Sequence, residues 1–84
     1  MAYVIMRVMH DPTNTYTFLD EFVVRRGDRE TCAKYLRELD ARAERRGFRR
    51  ASGFLLDGRT LFFEFRLHNG AVKRFELHPG QPIL

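Results

Sequence analysis

The sequence predicts an α+β two-layer sandwich: one helix packed on a mainly antiparallel sheet, in the order ββαβββ. Only one stretch, Cys32 to Ala43, repeats apolar residues at helical spacing. Two turn signals, Asp57-Gly58 and His68-Asn69-Gly70, separate segments rich in phenylalanine and leucine. The chain also opens on a β-branched run. A β-grasp-like arrangement shares the same opening order and is the alternative fold. The 84 residues allow one domain, spanning 1–84, with a thin core.

Taken in order, Tyr3 to Met9 reads as the first strand. His10 to Thr15, with its Asp-Pro step, is a loop. Tyr16 to Arg25 is the second strand and forms a hairpin with the first. Phe18, Phe22 and Val24 share a face with Asp20, which predicts a bulge or an exposed strand end. Asp28 is placed to cap a helix, its carboxylate accepting from the free amides of the first turn. Cys32, Tyr35, Leu36, Leu39 and Ala43 form the buried stripe of that helix, which runs to about Arg46. Gly47 closes it in a left-handed cap, with Phe48 folding back on the last turn.

Three strands follow. Phe54 to Leu56 and Leu61 to Leu67 flank Asp57-Gly58, and Ala71 to Leu77 follows the Asn-Gly signal. A two-residue turn there would set Phe63 opposite Glu76. A three-residue loop with Gly70 left-handed sets Phe63 opposite Phe75, Leu61 opposite Leu77 and Glu64 opposite Arg74. The second register sets apolar on apolar and opposite charges across from each other, and is the one expected. Leu61, Phe63, Phe65 and Leu67 then face the helix, while Phe62, Glu64 and Arg66 face outward near Val72, Arg74 and Glu76. A strand at a bare sheet edge invites pairing with another chain. The apolar Tyr3–Met9 strand is therefore expected either inside the sheet or in a homodimer interface.

Composition removes several classes. The chain is 44% hydrophobic and 13% aromatic, too apolar for disorder. No apolar run is long enough for a transmembrane helix or a signal-peptide core. The single cysteine, Cys32, cannot form an internal disulfide, and a reducing cytoplasm is the expected location. Cys32 itself reads as a small core residue. No metal-ligand spacing and no glycine-rich phosphate loop occurs, so no metal and no cofactor is implied.

Charge is the informative feature. Basic residues number 15, and all except Lys34 and Lys73 are arginine. The net charge of +4 is matched by the window from Arg42 to Arg50 alone, so the remainder of the chain sums to zero. That window holds Arg42, Arg45, Arg46, Arg49 and Arg50 against one acid, Glu44. Arginines at a helix C-terminus offset its dipole, but five in nine positions exceed what capping requires. Guanidinium forks bind carboxylate and phosphate in a bidentate way, which makes this an anion-seeking surface. Should the patch be only a solvated helix end, the outward sheet face around Phe62, Arg66 and Arg74 becomes the leading site. His10, His68 and His78 fall in loops or at strand ends, where His10, beside Asp11, and either His68 or His78 meeting in space would give an acid–base pair for RNA cleavage.

In general profile the chain resembles the small inhibitors encoded by phages and mobile elements, the anti-CRISPR proteins in particular. The resemblance lies in a single α+β domain below a hundred residues, no recognisable catalytic set, and one local charge patch from Arg42 to Arg50. It implies stoichiometric inhibition by surface occlusion of a CRISPR effector complex, without turnover. The first functional expectation is therefore a non-enzymatic binding protein whose arginine patch meets an acidic protein surface or a nucleoprotein complex. The second is a small nucleic-acid-binding domain using the same arginines on phosphates. The third is a basic ribonuclease toxin.

Overall fold

A computed structural model describes residues 1–9 and 20–82 of the chain. The elements run β1 (Ala2–Met9), β2 (Asp20–Gly27), α1 (Arg29–Arg45), β3 (Arg49–Phe54), β4 (Leu61–Arg66) and β5 (Val72–Pro79). They form an α+β two-layer fold: one five-stranded sheet, order β2-β1-β5-β4-β3, with α1 packed across it. Every neighbouring pair is antiparallel. The predicted loop His10–Thr15, the residues Tyr16 to Leu19 and the tail Ile83-Leu84 lie outside the described residues.

The apolar first strand is inside the sheet, paired with β2 on one side and β5 on the other. Its N–H and C=O groups therefore have ladder partners on both sides, which removes the edge it would otherwise present. The anticipated irregularity in β2 is a register shift between Val4 and Ile5, where the pairing passes from Arg25 to Val23. The extra residue, Val24, packs against the core, while Asp20 at the strand's start is exposed.

The helix begins where a short acceptor meets orphan amides. Asp28 accepts from the Thr31 backbone N–H at 2.7 Å, and that bond holds its carboxyl below the usual range. The stripe of Cys32, Leu36 and Ala43 is buried, with Tyr35 and Leu39 partly so. It meets Ala2 and Val4 of β1, Phe63 of β4, and Phe75 and Leu77 of β5. Phe48, Phe65, Phe75 and Phe63 form a chain of ring contacts with centroids 5.4 to 6.4 Å apart. Cys32 is fully buried and free, and burial pushes its thiol up. No described helix is long and apolar enough to cross a membrane.

The β4–β5 register is the one the apolar pattern selects: Leu61 opposite Leu77, Phe63 opposite Phe75, Glu64 opposite Arg74. Gly70 takes a φ of 88°, its N–H donating to the Leu67 carbonyl, and Asn69 accepts from the Ala71 N–H. Two expectations need correcting. Leu67 is not a strand residue but closes this turn by donating to Ala71. The third strand runs over Arg49–Phe54, not Phe54–Leu56. Asp57 causes the second shift. Its carboxylate accepts from Arg59 N, Thr60 N and Thr60 Oγ1, which draws Leu55 to Thr60 into the turn and leaves Leu56 at its exposed tip.

Candidate functional site

The arginine surface is built by one turn. Gly47 takes a φ of 73°, its N–H donates to the Glu44 carbonyl, and the Phe48 N–H reaches back to the Ala43 carbonyl. This paired bonding is the Schellman closure, which a left-handed glycine makes without strain. It stops α1 and sends the chain into β3 within three residues. The last helical turn and the start of β3 therefore share one end of the molecule, and β4 also finishes there, at Arg66.

Strand alternation then sorts the arginines. Arg50 lies opposite Phe65, on the helix side of the sheet. There it meets carboxylates: its guanidinium bonds Asp40 and lies 3.6 Å from Glu44. Arg49 lies opposite Arg66, on the face away from the helix. Among the described residues, Arg42, Arg45, Arg46, Arg49 and Arg66 are exposed and form no ion pair. Of the arginines in the predicted patch, Arg50 is thus ion-paired, and Arg66 from β4 stands beside the rest. The signal for Arg66 is the β3–β4 register, which depends on where the Asp57 turn begins. Like charges directly opposite on a ladder repel. An anion between Arg49 and Arg66 would relieve that repulsion.

The outward face around Phe62, Arg66 and Arg74 does not behave as one surface. Arg74 donates from Nε to Glu64 at 2.9 Å and lies over the Phe62 ring, 5.4 Å from its centroid. Arg74 therefore covers one face of that ring. Further along, Arg7 lies 3.5 Å from Glu21 and 3.6 Å from Glu76. Glu76 is 1% exposed although its strand position faces away from the helix, and His78 contacts it at 2.9 Å. Tyr3 stacks on the His78 ring at 5.4 Å. These charges lie within ion-pair distance of one another across β2, β1 and β5. Nothing in the alternation pattern announces that Glu76 is buried.

His68 and His78 lie apart. His78 is near the end of β5, whereas His68 sits in the turn before it, against the Phe48 ring at 5.0 Å. A strand of that length separates them by roughly 20 Å. The acid–base pair expected of His10 with one of them lies outside the described residues.

Comparison with protein-family models, with curated proteins and with solved structures finds no match.

Proposed function

We propose that this is a non-enzymatic binding protein that occludes an anionic surface of a macromolecular partner with its arginine-bearing end. One observation carries the reading. The last turn of α1, the start of β3 and the end of β4 gather Arg42, Arg45, Arg46, Arg49 and Arg66, exposed and without ion pairs among the described residues, at one end of the molecule. Desolvating a guanidinium against a carboxylate or phosphate is favourable when the bonds are bidentate and charge-assisted. The resemblance to anti-CRISPR inhibitors makes a CRISPR effector complex the first partner to test.

The test is the Arg45→Glu/Arg49→Glu double variant. Both residues are exposed, so the circular-dichroism melt should be unchanged; surface changes of this kind alter stability by about 0.5 kcal/mol. Binding to the effector complex, read by pull-down and by titration of inhibition, should be lost. Full retained inhibition overturns the reading, as does turnover of any substrate by substoichiometric protein.

The opposed pair Arg49 and Arg66 also favours a second reading, phosphate binding by a nucleic-acid module. That reading predicts log K falling linearly with log salt, with a slope of about −0.9 per duplex phosphate contacted. Absence of binding to DNA and to RNA at about 50 mM salt removes it.

A further inference from the structure

The sheet has two edges, β2 and β3, and they are treated differently. β2 carries Asp20, Glu21, Arg25 and Arg26 along its length and is kinked by the shift opposite Val4 and Ile5. Charge and a bulge are the usual guards of an edge. β3 has both arginines at its start, and its remainder, Ala51-Ser52-Gly53-Phe54, is uncharged. It has no proline and no bulge. Phe54 is 61% exposed. Above this strand α1 presents Arg37, Asp40 and Glu44. Arg37 and Asp40 border a cleft of about 260 Å³ with Ser52 and Leu61, and Glu44 lies over Arg50.

We propose that β3 pairs antiparallel with β3 of a second copy of this chain, about a two-fold axis at Ser52. The two sheets then become one of ten strands with both helices on the same side. Three features select this occupant and this register. Residues opposite each other on a ladder must point to the same face. Centring on Ser52 meets this condition and sets Arg50 opposite Phe54 of the other copy, where guanidinium and ring attract. Antiparallel pairing also keeps the Arg49-Arg50 ends of the two strands as far apart as β3 allows. Finally, the two-fold brings Arg37 of each helix toward Glu44 of the other, an opposite-charge contact made twice. Asp40, near the axis, is already held by Arg50 within each copy. The ladder groups that β3 turns away from β4 gain partners, and Phe54 is covered.

Light scattering or sedimentation at about 100 µM protein should give a dimer. Ser52→Lys sets two like charges across the axis and should give a monomer with unchanged circular dichroism. Ser52→Cys should form an intermolecular disulfide on oxidation, because directly opposed residues have Cα atoms about 4.5–5.5 Å apart, within disulfide range. Phe54→Cys should not, since position 54 faces position 50. Cys32 is buried and stays out of this chemistry. A monomeric wild type, a dimer that survives Ser52→Lys, or equal cross-linking at 52 and 54 overturns the proposal. Should Ser52→Lys fail to fold, the cross-linking pair decides.

Discussion

Glu76 is the residue whose removal tests the structure hardest. It lies on the sheet face opposite the helix, yet it is 1% exposed and sits between Arg7 and His78. Glu76→Ala removes the 2.9 Å contact to His78 and the 3.6 Å approach of Arg7, and it empties the space of the side chain. A hydrogen bond to a charged group contributes about 1.5–3 kcal/mol. The buried Cγ methylene adds about 0.8 kcal/mol. Arg7 keeps Glu21 at 3.5 Å, so no fully orphaned cation is left behind and the larger penalty for breaking a buried pair does not apply. The expected loss is about 2–4 kcal/mol, a large share of the ~5–15 kcal/mol typical of a domain. In a thermal melt this is a fall on the order of 20 °C for a chain of this size. Urea titration followed by circular dichroism reads the same quantity independently. Glu76→Gln keeps the shape and one acceptor and should lose less. Glu38→Ala, on the exposed side of α1, should stay within about 0.5 kcal/mol. A loss below about 1 kcal/mol for Glu76→Ala would show that water reaches this carboxylate and that the network on this face is not structural.

The bond from the Thr60 hydroxyl, followed by the amides of Thr60 and Arg59, pulls the Asp57 carboxyl from 3.8 down to about 2. A depressed folded-state pKa stabilises above the unfolded value and loses that contribution as pH falls from 3.8 toward about 2. Asp57→Asn should flatten the acid limb of stability across that window, measured by urea melts at stepped pH, and an unchanged limb would refute the assignment. Leu77→Ala, at a side chain 1% exposed, should cost about 2–5 kcal/mol, whereas Leu56→Ala at the exposed turn tip should cost nearly nothing; equal effects on the melt would contradict the register.

Periodicity and turn chemistry carried most of the fold. The helical stripe, the Asp28 cap, the Gly47 closure and the β4–β5 register are local features, each set by a few residues whose preferences agree. The start of β3 was not legible in that way. Arg49 and Arg50 have no strand signature, and their extended conformation follows from the helix closure behind them and the ladder with β4 beside them. The charge run was visible in the sequence, but which of its arginines are ion-paired was not. That Arg50 is paired requires knowing that it faces Asp40 ten residues away, and that Arg66 stands beside Arg49 requires the β3–β4 pairing. Glu76 was missed for a related reason. Alternation says which face a residue takes but not what its neighbours there do to its exposure.

The exposed charge of the arginine end is a consequence of register. Along the outer face, Arg7 stands beside Glu21 and Glu76, and Arg74 beside Glu64, because β1, β5 and β4 pair as they do. At the end of the sheet the ladder offers no acid: Arg66 stands between Arg49 on β3 and Val72 on β5. Sliding β3 by two residues, the smallest shift that keeps its faces, would set Arg49 opposite Glu64. The positive end would then lose one of its cations to an ion pair. Two turns prevent that slide. The Schellman closure fixes where β3 begins, and the Asp57 turn, bonded from Leu55 to Thr60, fixes where β4 begins. The cluster of exposed arginines at one end of the molecule is thus held in place by a turn at the other, through the six-residue ladder between them.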